Sequence, residues 1–340
     1  MYERQEDPSK SLAEDVRGKT KSDNLRDRLL RYKTLKVKSD KIADFLTLQP
    51  DLPAFPGLAG TIQQCGDFLQ FRNYYEIDEI RLHRANFCQY HMLCPFCAMR
   101  RGARFARKNA DKIEQLLASN PRLKLYHVVL TIKNGPDLKE RFDHLERSVT
   151  KMITNRREAK KGRRANIEFS KAQGGVFSFE IKRGKNSGEW HPHIHCMVLA
   201  EEPLDADKLS QEWKEITGDS HEVWVEECKG DTSLAGLEVF AYALKFSTME
   251  NEDLWYAYKV LRGKRFVRSF GILVGVEIVD SLEDDPIEDQ PYYDMLYAFI
   301  HGQGYKLRSF ETRLKSNSDQ PLIKATLDRL KPQADYSVPF

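Results

Sequence analysis

The sequence predicts an α+β fold built on a largely antiparallel sheet. Two observations carry this reading: strand-like runs joined by a turn, and helix-periodic stretches placed between the strands. Residues 125–132 (Leu-Tyr-His-Val-Val-Leu-Thr-Ile) read as a buried strand. Residues 138–156 follow with helical period. Residues 176–181 form a second strand, and the turn Gly184-Lys185-Asn186-Ser187-Gly188 leads into a third at 193–200. Residues 209–217 and 236–247 are helical, 221–227 is a short strand, and 268–279 returns to strand.

The bulk numbers fit this class. The chain has 340 residues, 41% hydrophobic and 31% charged, which describes a globular protein with a real core and a heavily charged surface. A net charge of +3 permits nucleic-acid binding without arguing for it. No apolar run has the length of a membrane span, and Met1-Tyr2-Glu3-Arg4-Gln5-Glu6-Asp7 does not read as a secretory signal. The expected location is the cytoplasm, where clustered cysteines bind metal more often than they form disulfides.

Four divisions follow. Residues 1–60 are a basic helical arm and a Pro/Gly loop; Leu25, Leu29 and Tyr32 share a face that docks the helix or frees its basic side for DNA. Residues 61–120 are a cysteine-rich module with a helix at 100–117, and 121–282 are the domain that carries the predicted sheet. Residues 283–340 open with the acidic run 283–289, expected to be a linker, and continue as a C-terminal segment.

Trp190-His191-Pro192-His193-Ile194-His195 is the most informative stretch. On a strand His193 and His195 share a face while Ile194 points to the core. Two imidazoles on one face hold a divalent metal and leave positions open for substrate oxygens. If the 184–188 turn closes a hairpin, Glu180 supplies a carboxylate as third ligand. Two nitrogens and a carboxylate suit Mn²⁺ or Mg²⁺. The plainer alternative is a pair of histidines hydrogen-bonded on a surface strand. His191 falls on the same face as a bystander or fourth contact.

Downstream, Glu238, Tyr242 and Lys245 are spaced to line one face of a helix. A phenol with a pKa of about 10 needs help as a nucleophile, and a nearby lysine favours the phenolate. Alone this pattern is ordinary packing and solvation; its weight comes from following the histidine strand.

Cys88-x5-Cys94-x2-Cys97 has metal-ligand spacing, and Cys65 completes a four-cysteine structural zinc site. His91 and His83 are substitutes for Cys65. Unligated buried thiols and a Cys94/Cys97 redox pair are the other readings. Cys196 and Cys228 stand apart as packing residues. Arg100, Arg101 and Arg104 on the adjacent helix suit phosphate contacts, or form a solvated face.

In their order these blocks resemble the replication initiators of rolling-circle plasmids, the single-tyrosine HUH endonucleases. The resemblance runs from about Gln64 to Val276. It rests on Cys65-Gly66, Arg84-Ala85-Asn86-Phe87-Cys88, Cys94-Pro95-Phe96-Cys97, the Glu180 strand, His191 to His195, Glu238 with Tyr242 and Lys245, and Leu261-Arg262-Gly263-Lys264-Arg265. It implies an HUH-like antiparallel sheet flanked by helices, behind an N-terminal cysteine-rich zinc module. It makes His193 and His195 metal ligands and Tyr242 the nucleophile, and has Glu238 activate the water that ends replication. Many relatives carry lysine just before the tyrosine; here Ala241 stands there, which leaves Lys245 as the activating candidate. The implied partners are plasmid origin DNA, duplex and single-stranded, with a host helicase and replication machinery, and no membrane. An HUH transposase or mobilisation enzyme, or a non-enzymatic zinc DNA-binding protein, are the competing functions.

Overall fold

The computed structural model describes residues 24–184, 187–229, 246, 249–275 and 281–313. Its first elements are helix α1 (Leu25–Thr47), helix α2 (Leu58–Gln63), strands β1 (Phe68–Tyr74) and β2 (Glu79–Ala85), and helix α3 (Pro95–Ser119). Strand β3 (Lys124–Thr131), helix α4 (Leu138–Lys160), strands β4 (Ala172–Arg183) and β5 (Trp190–Ala200), and helix α5 (Ala206–Thr217) follow. Strand β6 (Val223–Glu227), helix α6 (Asn251–Leu261), and strands β7 (Val267–Gly271), β8 (Tyr292–Ile300) and β9 (Gly304–Arg313) complete the series. Among the described residues the named strands form two antiparallel sheets, ordered β6-β3-β5-β4-β7 and β2-β1-β8-β9. The mixed α+β class expected from the sequence is the class observed.

The chain clusters into two compact units. Among the described residues, one lies within 91–275 and holds the five-stranded sheet; the other combines 24–90 with 281–313 and holds the four-stranded sheet.

In the first unit, one face of the sheet is apolar. Val128, Leu130, Phe177, Phe179, Ile194 and Cys196 are all buried. Helix α4 covers part of it, with the Phe142 ring 5.5 Å from both Phe179 and Phe266. Burying a phenylalanine this fully contributes roughly 2–3 kcal/mol. Helix α4 begins at Asp137, whose carboxylate accepts from the Glu140 amide at 3.0 Å. Helix α5 begins in the same way at Asp205, which accepts from the Asp207 and Lys208 amides, and stops at Gly218 in the left-handed region (φ 76°). Its Trp213 is fully buried and donates from Nε1 to the Thr131 carbonyl at 2.6 Å. Where β7 meets β4, Gly271 has φ +61° and a Cβ there would lie 2.1 Å from the Gln173 carbonyl oxygen. Only glycine fits that approach.

In the second unit, α1 is a packed helix. Leu25, Arg28, Tyr32, Lys36, Ser39, Ala43 and Leu46 line its buried side, while Arg26 and Lys38 are exposed. Tyr32 stacks on Phe71 of β1, and the Arg28 guanidinium sits 5.3 Å from the Phe71 ring centroid. Arg28 pairs with Asp284 at 2.8 Å, and Asp284 also accepts from the Leu82 amide at 2.7 Å. Lys36 pairs with Asp40 and Asp67.

Several expectations change here. In the run 283–289, expected to be a linker, Asp284 is buried against Arg28, while Asp285, Glu288 and Asp289 are exposed. Residues 68–85, within the expected cysteine-rich module, form a hairpin of the second sheet. The strand expected at 268–279 ends at Gly271, and 276–280 lie outside the described residues.

Candidate functional site

The β4–β5 hairpin positions the candidate metal-ligating side chains. Its register sets Glu180 opposite His193 and Ser178 opposite His195, so the alternation of each strand delivers all four side chains to one face. That face is opposite the Phe177–Phe179–Ile194 core. Glu180 and His193 are 1% and 4% exposed, and His195 is 9% exposed. His195 Nε2 lies 3.0 Å from one Glu180 oxygen and His193 Nε2 lies 3.4 Å from the other. Lys182 Nζ adds a contact to Glu180 at 3.1 Å. A carboxylate this buried needs compensating charge or donors.

Ligand atoms of Glu180, His193 and His195 all fall within 4.8 Å of one another. Two imidazole nitrogens and one carboxylate oxygen at that spacing fit a divalent cation with positions left open. His191 is not among the converging atoms. Its ring stacks on His193 at 5.1 Å, while Nδ1 turns to the Asn134 side chain. Burial, followed by the neighbouring His193, lowers the His191 pKa.

One residue of this face was missed by sequence reading. His127, on β3 and buried, places Nε2 3.0 Å from His195 Nδ1, with the rings 5.2 Å apart and 17° from parallel. Strand parity places His127 on the histidine face, because Val129 pairs with His195. No motif spacing links the two, so only the sheet order could have found it.

The sulfurs of Cys65, Cys88, Cys94 and Cys97 also lie within 4.8 Å of one another, and all four residues are buried and free of disulfides. Cys97 is carried on the first turn of α3, and the Cys88 amide lies 3.5 Å from the Cys65 sulfur. Four thiolates about 2.3 Å from one ion sit roughly 3.8 Å apart, so this cluster fits a tetrahedral metal. It falls at residues 65–97, behind α1 and α2, and not at the N-terminus. Cys196 is fully buried and outside it, its thiol pKa pushed well up by burial.

On α3, Arg100 is 1% and Arg104 6% exposed, and Arg101 is half-buried. The expected basic face is therefore largely turned inward. Glu238, Tyr242 and Lys245, with the helix expected at 236–247, lie outside the described residues apart from Phe246, which is buried.

Fold and clusters together define an α+β protein with two groups of side chains that could hold a metal ion, one of four cysteines and one of two histidines and a carboxylate. Residues 79–293, more than half of the chain, match the replication protein family, and the chain belongs to it. The match takes in every candidate ligand except Cys65, and Tyr242 as well. Among relatives, a protein rep from Streptococcus pneumoniae serotype 2 (strain D39 / NCTC 7466) is 27% identical over 178 residues, 52% of this chain and 51% of that protein. A protein rep from Bacillus sp is 24% identical over 150 residues, 43% of this chain and 44% of its own length. One from Bacillus amyloliquefaciens is 25% identical over 150 residues, covering 43% and 40%. The chain thus spans about half the length of the relatives it matches, or less. No solved structure matches it. No helix among the described residues is long and apolar enough to cross a membrane.

Proposed function

We propose that this protein initiates rolling-circle replication of a plasmid by nicking one strand at the double-strand origin. In this reading the five-stranded sheet is an HUH-type endonuclease sheet and the chemistry belongs to residues 121–282. The observation that carries the reading is the convergence of Glu180, His193 and His195 on one sheet face, in a chain of the replication protein family.

Glu180, His193 and His195 would hold Mg²⁺ or Mn²⁺. The cation, when bound, polarises the scissile phosphate and offsets charge that builds on its oxygens. The Tyr242 phenolate oxygen attacks phosphorus, and the bond from phosphorus to the 3′ oxygen breaks. The 3′ oxygen takes up a proton and becomes a free hydroxyl. The product is a 5′-phosphotyrosine ester that conserves the bond for rejoining. Lys245 favours the phenolate, and Glu238 later takes a proton from the water that hydrolyses the ester. The cysteine cluster is read as a structural zinc site, and Arg101, the arginine of its trio that is not buried, as the phosphate contact. Origin DNA, first as duplex and then as single strand, is the substrate, with a host helicase and replication machinery acting after the nick.

The test is adduct formation on a labelled single-stranded origin oligonucleotide, read on a denaturing gel. Tyr242→Phe should abolish the adduct, with added Mn²⁺ giving no rescue. Glu238→Ala should still form it while failing to release finished strands, so products longer than one plasmid unit accumulate. A normal adduct yield from Tyr242→Phe would assign the nucleophile to another tyrosine.

A further inference from the structure

We infer that His127 is a positioning residue that fixes which nitrogen of His195 is free to bind the cation. The inference rests on the metal reading of Glu180, His193 and His195 above.

His195 uses its two ring nitrogens in opposite directions. Nε2 faces Glu180 at 3.0 Å and Nδ1 faces His127 Nε2 at 3.0 Å. A cation held between Glu180 and His195 binds the Nε2 lone pair, so that nitrogen carries no proton. A neutral His195 then carries its proton on Nδ1, and Nδ1–H donates to His127 Nε2. His127 must present a lone pair there, which places its own proton on Nδ1. The two tautomers are coupled: the wrong one on His127 sets two N–H groups against each other or leaves Nδ1 of His195 as the acceptor. In the second case the His195 proton sits on Nε2, where the cation belongs.

The geometry holds this pair in place. Both rings are buried and stand 17° from parallel, and the Trp224 ring meets His127 edge-on with centroids 5.3 Å apart. Register makes the pairing a property of the sheet. β3 and β5 are hydrogen-bonded neighbours, and His127 stands two residues before Val129, the partner of His195. A hydrogen bond to the far nitrogen of a metal-binding imidazole orients the ring and raises its basicity, and its loss typically costs about 10–100-fold in metal affinity.

The experiment measures Mn²⁺ binding to the full chain by electron paramagnetic resonance of the free ion, without DNA and without turnover. His127→Phe keeps a flat ring and removes the acceptor. His127→Gln supplies an amide oxygen in its place. We expect Phe to weaken Mn²⁺ binding about 10–100-fold and Gln to recover most of the loss, with both proteins melting near the parent. Parent-like affinity in the Phe variant, or equal loss in both, overturns the inference. If neither variant folds, ¹⁵N imidazole shifts of the parent loaded with Mg²⁺ decide it. Protons on Nδ1 of both rings support the coupling, and a proton on His127 Nε2 refutes it. His195→Ala is the control for the parent reading. Unchanged Mn²⁺ binding in that variant overturns the metal assignment itself, and this inference with it.

Discussion

Asp284 accepts from Arg28 and from the Leu82 amide inside the second unit, and neither side chain of the ion pair is more than 3% exposed. Truncating one partner of such a pair leaves the other without its counter-ion in a dry place. Asp284→Ala should therefore cost about 3–5 kcal/mol, read by urea unfolding of the full chain. A loss under about 1 kcal/mol would mean that Tyr32 and the ring contacts suffice to hold Arg28. At this scale the sequence was informative where spacing encodes geometry. His193 and His195 share a face on any strand, and Glu180 joins them once the 184–188 turn closes the hairpin. His127 was invisible because nothing local relates it to His195. Arg100 and Arg104 show the opposite failure: sequence reveals their charge, while their burial depends on distant packing.

Glu212 shows what helix α5 does beyond covering the sheet. Its Oε2 accepts from the Phe169 amide at 3.0 Å, bracing the turn that leads into β4. Burial pushes its pKa up against the opposing hydrogen bonds from Phe169 and Glu168. A carboxyl raised in the folded state favours the protonated form there. Stability is then greatest below the ordinary value of 4.5 and falls as pH rises through the higher folded value, levelling above it. Glu212→Gln should flatten that slope, so the variant melts higher than the parent at neutral pH and the gap closes in acid. An unchanged melting profile across pH would show that the carboxylate is better solvated than its burial implies. Among elements, the β4–β5 hairpin, α4 and α5 were legible because their apolar periods are strong and their turns are marked. The second sheet was not. Its strand β1 carries Arg72 and β2 carries Arg81 between buried residues, β2 ends in the more exposed His83 and Arg84, and β8, the partner of β1, comes more than 200 residues later.

For the whole molecule, the four-cysteine cluster is the most direct handle on stability. If it holds zinc, the metal supplies folding energy to residues 65–97. Purified protein should contain one zinc per chain beyond any cation at the histidine site. Stripping it with a chelator should expose four thiols to a disulfide reagent and speed amide exchange across 65–97, ahead of the β3–β5 core. Absence of zinc, with those thiols reactive from the start, would reassign the cluster to buried cysteines.

The pairing of β1 with β8 has a consequence for synthesis. The unit within 91–280 is nested inside the other, entering after one hairpin of the second sheet and leaving before its mate. A ribosome has already made β1 and β2 when it begins the inner unit, and β9 ends at Arg313. At about 5–20 residues per second the first hairpin waits roughly 10–45 seconds for its partner strands. During that interval β1 presents an open edge of unpaired amides and carbonyls, with Leu69 and Phe71 not yet covered. The inner unit has no such delay, since all the strands of its sheet lie between its own ends. A nascent chain whose residue 280 has just cleared the ribosome would thus hold every strand of the inner sheet but only one hairpin of the second, and its first demand on the cell would be a chaperone.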